Sequence, residues 1–298
     1  MSEAAPTVER RTIEERLQQL LYTLFGLLPT DWASAIGSFA VRRNVHRNRP
    51  EILAGARRNL RIHRPEATEV ELDAMIEAFL DGVGRVMAEY AVMPRFIREG
   101  RLVAEGVEAF KAVAGTRPII AFGLHTGNWE TFGPMFQHIG VPLTSFYMPP
   151  EGAFDRRVVE ESRAQFGVDL LSPDAKGVRE SMRRLNQNRT VMIFPDEALE
   201  GRALGPLFGR APHTKGNLAI AARLARHTGA GFVICHSERT APCRFSLTFG
   251  PFFELPETDG RPDTLADVAF LNAKVEPIVQ ANIPRWYFLD DSIAPFAE

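Results

Sequence analysis

The stretch RPIIAFGLHTGNWE, residues 117–130, contains an apolar run, then a histidine and, five positions later, a glutamate. We predict a strand over PIIAFGL and a helix over about residues 128–139, with Thr126 or Asn128 as the helix N-cap. Ligands of a parallel α/β sheet bind beyond the carboxyl ends of its strands, and His125 would lie at such an end. The stretch therefore predicts a strand followed by a helix, and also the place of a site.

Short β-rich runs alternate with helical patterns along the rest of the chain. The further strand candidates are LTSFYM, TVMIFP, GFVICHSE and RFSLTFGPFFEL, and the further helix candidates cover about residues 154–166, 175–186 and 214–227. A helix over about residues 66–89, with Thr68 as its N-cap, precedes them. The predicted fold class is α/β, with a single, mostly parallel mixed sheet flanked by helices, a final antiparallel strand and an N-terminal amphipathic helical segment.

An apolar stripe marks the N-terminal region. Its side chains recur at helical spacing and share one face: Leu17, Leu20, Leu21, Leu24, Phe25 and Leu28. The uncharged part spans about 14 residues, whereas crossing a bilayer takes about 20. Together with Trp32 and the arginines that follow, the stripe predicts a helix lying in a membrane surface. The alternative is a helix packed on its own domain.

We divide the chain into an N-terminal helical, membrane-surface segment, residues 1–64, and an α/β domain, residues 65–298. The first residues include acids, and no positively charged segment precedes a small-residue cleavage site. We therefore expect no secretory signal. The two cysteines, Cys235 and Cys243, are predicted to be free thiols, and no spacing typical of a zinc site is present.

The basic residues are clustered, although the net charge of the chain is only −2. Residues 42–64 contain eight arginines and the single acid Glu51, and residues 201–237 contain five lysines and arginines and no acid. Such clusters predict contact with phosphate or with an anionic membrane surface. The alternative is a set of solvated helix faces. We expect no nucleic-acid partner.

His125 is either a buried histidine at a strand end or a catalytic base. Five residues along an ideal helix correspond to a net rotation of about 140°, so His125 and Glu130 would not share a face. If the helix begins after His125, this objection no longer applies. Glu130 can then reach back, fix the tautomer of the imidazole and stabilise its charged form. The residues alone leave both interpretations open.

Several segments together resemble one enzyme family. They are LHTGNWE, SRAQFG and FPDEALEGRALGPLFGRAPHTKGNLAIAARLARHTGAGFVI. Over about residues 17–286 the chain resembles the lipid A biosynthesis lauroyl/myristoyl (late) acyltransferase family, within the lysophospholipid acyltransferase superfamily. The superfamily signature is a histidine, four residues and an acid, which His125 and Glu130 match. No G-x-S-x-G motif is present, so no acyl-enzyme intermediate is expected.

The resemblance implies an O-acyltransferase that moves a fatty acyl chain from acyl carrier protein to a hydroxyl of a lipid acceptor, a lipid A precursor. It implies a place at the cytoplasmic face of the bacterial inner membrane, and no metal or cofactor. His125 would be the general base and Glu130 its catalytic partner, because a hydroxyl needs a base in the transition state. Backbone N–H groups at residues 126–128, or a nearby cation, would stabilise the oxyanion.

The resemblance also implies a set of substrate-binding residues: Asn128, Arg163, Asp196, Arg202, Lys215 and Arg239. Arg163 would bind phosphate or the oxyanion, or else lie on a solvated helix face. Asp196 would lie near His125, or else cap a turn. Arg202 and Lys215 would meet phosphates of the lipid or of the phosphopantetheine arm of the carrier.

The chain also departs from the family pattern. FYMPP has Met148 where the family has an arginine, and PRWYFLDDSIAPFAE stands where family members end in tryptophans and a basic cluster. These departures concern the acceptor more than the reaction. Two alternatives stay open: acyl transfer to another lysolipid or amphiphile, from acyl carrier protein or coenzyme A, and a catalytically silent lipid-binding relative.

Overall fold

A computed structural model describes residues 13–258 and 260–294. Residues 1–12, on which the expectation about a secretory signal depends, lie outside this part of the chain. The described chain begins with four helices: α1 (Ile13–Leu27), α2 (Thr30–Asn48), α3 (Pro50–His63) and α4 (Glu69–Glu89). Thr68 caps α4 as predicted, because its hydroxyl accepts the Glu71 backbone N–H while Glu71 accepts the Thr68 N–H.

The strands follow in the order β1 (Leu102–Glu105), β2 (Ile119–Gly123), β3 (Leu143–Phe146), β4 (Asp169–Leu171), β5 (Thr190–Ile193), β6 (Ala198–Leu199), β7 (Arg202–Ala203), β8 (Gly231–Ala241) and β9 (Arg244–Phe249). Seven of them form one sheet in the order β1-β9-β8-β2-β5-β3-β4, and β6 and β7 form a small hairpin. Within the seven-stranded sheet, only the β8–β9 pair is antiparallel. The predicted mixed sheet and its antiparallel final strand are confirmed.

The remaining helices are α5 (Val107–Val113), α6 (Phe132–Ile139), α7 (Ala153–Gln165), α8 (Ala175–Leu185), α9 (Asn217–Thr228) and α10 (Thr264–Ala281). Three 3-10 turns lie at Met93–Arg95, Trp129–Thr131 and Ile283–Arg285. The predictions missed β1, β4, the β6–β7 hairpin, α5 and α10. Most of these are too short to show a period. Helix α10 was overlooked although its buried residues Val268, Leu271, Val275 and Val279 recur at helical spacing.

Strand β2 lies inside the sheet, and every residue of it is buried. Ile120 and Phe122 face one core, which also includes Leu60 of α3 and Leu271 of α10. Ile119 and Ala121 face the other core, together with residues of α6 such as Phe136. This alternation places the residues that follow β2 at the carboxyl edge of the central strands.

The first helices lie against this body and expose an apolar face. Gly37 of α2 crosses Gly84 of α4 so closely that a Cβ at Gly37 would lie 2.4 Å from the Gly84 carbonyl oxygen. On α1 and α2, Leu27 is 75% exposed and Trp32 is 67% exposed. Among the described residues, no helix combines the length and the apolar character needed to cross a membrane. The division of the chain at residue 64 stays a prediction.

Candidate active site

His125 lies just beyond β2 and is held by a carboxylate that follows the neighbouring strand β5. The His125 Nδ1 is 3.0 Å from the backbone oxygen of Asp196 and 3.1 Å from its Oδ1. A carbonyl oxygen only accepts hydrogen bonds, so Nδ1 carries the hydrogen and the lone pair of the neutral ring is on Nε2. Asp196 is fully buried and also accepts the His125 backbone N–H at 2.6 Å. The pair is therefore an imidazole of fixed tautomer beside a buried carboxylate.

This geometry corrects one prediction about Glu130. The helical conformation begins at Trp129, after His125, as the prediction required. The residue that orients the imidazole is nevertheless Asp196, and the Glu130 carboxylate forms a two-pronged ion pair with Arg163, at 2.7 and 3.1 Å. Tyr90 also donates a hydrogen bond to it. Glu130 and Arg163 therefore form an ion pair beside the His125 loop.

The Glu130 carboxyl is almost completely buried, and burial by itself raises its pKa. The charge of Arg163 and the hydrogen bonds from Arg163 and Tyr90 outweigh that effect and hold the pKa of Glu130 below its usual value. The carboxylate is therefore ionised at neutral pH. Its negative charge is balanced by Arg163.

A second buried ion pair lies beneath the same loop. Glu89, the last residue of α4, accepts hydrogen bonds from Arg239 of β8 at 2.6 and 2.9 Å. It also accepts from Ser34 of α2 at 2.7 Å and from the Asn128 side-chain amide at 2.8 Å. Glu89 and Asn128 have no exposed surface. These contacts tie α2, α4 and β8 to the loop that carries His125.

Asn128 and Arg239 were both predicted to bind substrate, and the structure gives each of them partners within the protein. The Asn128 side-chain oxygen accepts the Glu130 N–H at 3.1 Å, so Asn128 is the N-cap of the turn, as one of the two predicted caps. The Arg239 guanidinium lies 4.6 Å from the centre of the Phe245 ring and is paired with Glu89. Both residues shape the loop, and their contact with a substrate stays a prediction.

Gly127 allows the loop to approach β8. Its φ is 61°, and a Cβ at this position would lie 2.4 Å from the Ser237 carbonyl oxygen. Thr126 Oγ1 donates to the same oxygen at 3.1 Å. A side chain at Gly127 would therefore push the His125 loop away from the sheet edge.

Arg202 and Lys215 belong to the segment between β5 and α9. Arg202 begins β7 and forms a bridge with Ser292, and Lys215 accepts a hydrogen bond from His213 through its backbone oxygen. Glu197, which no prediction included, lies on the same segment and accepts the Asn217 backbone N–H at the start of α9. Burial raises the pKa of Glu197 to about 7, and the Asn217 N–H and the nearby His125 only partly offset this effect. The predicted phosphate contacts of Arg202 and Lys215 stay predictions.

Aromatic side chains surround the imidazole. Ring centres of Phe194, Phe288 and Trp129 lie 4.4, 5.0 and 5.1 Å from that of His125. A cavity of about 20 Å³ continues from Trp129 and Phe194 between the sheet, α6 and α7, and Glu130 and Arg163 form its polar side. The site therefore offers an oriented imidazole beside an apolar space with one ion pair.

Three of the eight arginines of residues 42–64 contact acids of α4. Arg57 pairs with Glu69 and Asp73, Arg61 pairs with Glu69, and Arg42 pairs with Glu77. Part of the positive charge of this segment is therefore balanced by neighbouring carboxylates. Both cysteines are free, as predicted, and both are buried.

Besides Glu197, three further residues of the site escaped the sequence analysis: Glu89, Tyr90 and Trp286. Glu89 is an acid at a buried position of the helical period of α4, and this mismatch is the signal that the sequence contains. Trp286 lies in the C-terminal segment that departs from the family pattern. Its indole N–H donates to Asp196 Oδ2 at 3.1 Å.

The fold and the site define an α/β protein with an oriented histidine at the carboxyl edge of its central strands. The bacterial lipid A biosynthesis acyltransferase family matches residues 11–292, which is almost the whole chain. The chain belongs to this family of acyltransferases, and the resemblance found in the sequence is confirmed.

No curated protein matches the sequence. Among solved structures, a similar one is the crystal structure of the 1-acyl-sn-glycerophosphate (LPA) acyltransferase, PlsC, from Thermotoga maritima. It shares 13% sequence identity at a TM-score of 0.36, over 90% of this chain and 95% of that chain, and a likeness at this level carries no argument about function.

Proposed function

We propose that this protein transfers a fatty acyl chain from an acyl carrier protein thioester to a hydroxyl of a lipid A precursor, with His125 as the general base. The observation that carries the proposal is the Asp196–His125 pair, in which Nδ1 donates and Nε2 has the free lone pair. Membership of the acyltransferase family supplies the reaction class. The side chain of His125 is 17% exposed, so the ring is within reach of a substrate.

In the proposed reaction, Nε2 of His125 takes the proton of the acceptor hydroxyl while its oxygen attacks the thioester carbon. Asp196 stabilises the imidazolium that forms, because its carboxylate accepts the Nδ1–H. The tetrahedral intermediate then collapses, the carbon–sulfur bond breaks, and the imidazolium returns the proton to the departing thiolate. The products are an ester and a free thiol, and the histidine ends as it began.

The acyl chain of the donor is assigned to the apolar space beside the imidazole. Phe132, Leu143, Phe166 and Met192 line it together with Phe194. The space of about 20 Å³ admits no more than a water-sized group, so an acyl chain enters only when these side chains move. Arg163 lies at its polar side and is the proposed contact for the oxyanion or for a phosphate.

The lipid acceptor is assigned to a membrane surface, at the cytoplasmic face of the bacterial inner membrane. The proposed cytoplasmic face follows from the family alone. Contact with a membrane surface is supported by the exposed apolar side chains of α1 and α2: Leu17, Leu20, Leu21, Leu24, Leu27, Trp32, Ile36 and Phe39. A continuous apolar face next to arginines is typical of helices that lie in the headgroup region. The proposed partners are thus an acyl carrier protein and an anionic membrane surface.

The test of the reaction is to incubate the purified protein with acyl carrier protein thioesters and a hydroxyacylated lipid A precursor, and to follow the lipid by mass spectrometry. The expected result is a mass gain of one acyl chain, lost in His125→Ala and retained in the matched control His138→Ala, whose side chain is exposed on α6. Normal product from the His125→Ala protein would overturn the mechanism. Product with lysophosphatidic acid alone would show that the acceptor is a different lipid. Product from acyl coenzyme A alone would show that the donor is not acyl carrier protein.

The membrane assignment has its own test. Leu20 and Leu24 are about half exposed, as is Leu199 on β6, which serves as the control. We expect the double substitution Leu20→Gln and Leu24→Gln to reduce sedimentation with vesicles containing anionic phospholipid, and Leu199→Gln to leave it unchanged. Equal binding by all three proteins would contradict the assignment.

A further inference from the structure

The C-terminal segment of the described chain, residues 286–292, forms a strap across the His125 loop. Thr126 and Trp286 form an antiparallel bridge, and the Tyr287 backbone N–H donates to the His125 carbonyl oxygen at 3.0 Å. The ring of Tyr287 lies 4.8 Å from that of Trp129. The strap therefore contacts the backbone on both sides of the peptide bond that follows His125.

The strap also reaches the carboxylate that orients the imidazole. The indole N–H of Trp286 donates to Asp196 Oδ2 at 3.1 Å, and both side chains are fully buried. Oδ2 also accepts the His125 backbone N–H, whereas Oδ1 accepts from His125 Nδ1. The two donors on Oδ2 fix the orientation of the carboxylate plane, so that Oδ1 stays within hydrogen-bond distance of His125 Nδ1.

The strap is anchored on elements outside the sheet. The Asn59 side-chain amide, buried on α3, donates to the carbonyl oxygens of Leu289 and Asp291 at 2.7 and 2.6 Å. The Ser292 N–H donates to Gly201 in the β6–β7 hairpin at 2.8 Å. The backbone of the strap passes so close to Gly55 of α3 that a Cβ there would lie 2.3 Å from the Asp290 carbonyl oxygen. Its position is therefore set by tertiary contacts on both flanks.

We propose that Trp286 is a positioning residue of the active site, whose indole N–H fixes the Asp196 carboxylate and through it the tautomer and basicity of His125. The part of the inference that concerns catalysis rests on the proposed function. The part that concerns the geometry of His125 does not, because it describes a hydrogen-bond chain from Trp286 through Asp196 to the ring. No contact between Trp286 and substrate is needed.

Loss of the indole N–H would change the basicity of His125 in a defined direction. The indole N–H draws negative charge toward Oδ2, and its loss leaves more of that charge facing the imidazolium. The protonated ring then becomes easier to form, so titration of His125 moves to higher pH. The titratable groups that face the ring are Asp196, Glu197, Glu130 and Tyr287, and the substitution removes none of them.

The experiment replaces Trp286 by benzothienylalanine, which keeps the shape of the bicyclic ring and lacks the N–H, and separately by Phe. The readout is the ring nitrogen titration of His125 in protein labelled with ¹⁵N-histidine, assigned among the seven histidines by the spectrum of the His125→Gln protein. We expect the titration midpoint to rise by about half a pH unit in both variants. Thermal unfolding shows whether each variant is folded.

The packing control is Phe208→Leu, because the Phe208 ring contacts the Trp286 ring at 5.5 Å and leaves the indole N–H in place. We expect this variant to keep the wild-type midpoint. An unchanged midpoint in the benzothienylalanine protein, or an equal shift in Phe208→Leu, would overturn the positioning role.

Acyl transfer gives the second readout. We expect kcat to fall about tenfold in the benzothienylalanine protein, with KM changed by less than about twofold, because substrate contacts stay in place. If the wild-type protein transfers no acyl group while the titration shift is observed, the proposed function fails and the positioning role stands. If transfer proceeds and the midpoint does not move, the positioning role fails alone.

Discussion

Carboxylates paired with basic side chains occur in two regions of this protein, and the two regions differ in burial. On the outer side of α4, Glu69 and Asp73 meet Arg57, and both carboxylates are more than 60% exposed. Beneath the His125 loop, Glu89 and Glu130 meet Arg239 and Arg163, and the carboxylates are at most 4% exposed. The chemistry of the pairs is the same, but only the buried pairs lie where water cannot replace a lost partner.

This difference indicates what the two sets of charges do. Exposed pairs gain little from their attraction and lose most of it to salt, so they contribute little to folding. Buried pairs are expensive to desolvate and are strongly destabilising when one partner is removed. The network around Glu89 and Glu130 contacts the loop that carries His125. Its main contribution is to fix the position of that loop.

The largest effect is expected at Asp196, which pairs with His125. Asp196→Asn removes the negative charge beside the imidazolium and offers an amide that can stabilise the wrong tautomer. We expect kcat for acyl transfer to fall by about 10²- to 10⁴-fold, measured by product formation at saturating substrates. Asp169→Asn, an exposed carboxylate on β4, is the control and should keep full activity. Comparable activity of both variants would contradict the role of Asp196.

The next largest effect is expected at the Glu89–Arg239 ion pair beneath the His125 loop. Glu89→Gln leaves the Arg239 guanidinium buried without its counter-charge, and we expect the free energy of unfolding to fall by about 3–5 kcal/mol, measured by urea denaturation. Arg239→Gln should cost a similar amount. The double variant should lose less than the sum of the two, as a double-mutant cycle requires for a direct pair. Strict additivity would show that the two charges are not coupled.

Glu130→Gln tests the other buried pair and its pH dependence. The pKa of Glu130 is lowered in the folded protein, so its stabilising contribution is present above the unfolded pKa of about 4.3 and is lost as pH falls through the folded pKa. We expect the variant to be less stable by about 3 kcal/mol at pH 7, with the difference shrinking below pH 4. Unfolding followed by circular dichroism across pH measures it. A difference that stays constant with pH would contradict the ion pair.

The pH dependence of stability at Glu197 has the opposite sign, because burial is the largest effect on the pKa of this carboxyl. Its folded pKa of about 7 exceeds the unfolded value of about 4.3. Ionisation therefore destabilises the folded protein increasingly as pH rises between these two values, and the loss is complete above pH 7. Glu197→Gln cannot ionise and still accepts the Asn217 N–H. We expect the variant to gain on the order of 1 kcal/mol relative to the wild-type protein between pH 5 and pH 8. A loss over the same interval would contradict the raised pKa.

The smallest effect is expected on the outer side of α4. Arg57→Gln breaks exposed pairs with Glu69 and Asp73, and we expect the free energy of unfolding to change by less than about 1 kcal/mol. In 1 M salt, where the Debye length is about 3 Å, this change should nearly vanish, whereas the effect of Glu89→Gln should persist. Equal salt dependence of the two variants would remove the distinction between the regions.

Local patterns predicted the elements that form by local rules. The cap at Thr68 was readable because its hydroxyl, Glu71 and the start of the helix are neighbours in the chain. The strand before His125 was readable because β2 is buried on both faces and therefore apolar throughout. Short elements such as β4 and the β6–β7 hairpin were missed, because two or three residues carry no period.

The sequence identified several residues of the candidate site but did not predict correctly which of them contact each other. His125, Glu130, Arg163 and Asp196 were named, and the structure brings them together as two pairs. The wrong element was the assignment of partners, since the spacing of His125 and Glu130 favoured a contact that Asp196 makes instead. Glu89 and Trp286 were missed, because their roles depend on neighbours that are distant in the chain.

The sequence by itself determined the succession of strands and helices, the position of His125 at a strand end, and the family. These follow from periodicity, caps and motifs, which are properties of adjacent residues. Only the tertiary structure decided which carboxylate orients the imidazole, because Asp196 lies 71 residues and Trp286 a further 90 residues along the chain. Parallel strands β2 and β5 end at the same edge of the sheet, and the strap returns to that edge. Contacts of this kind depend on packing and register, which no local pattern specifies.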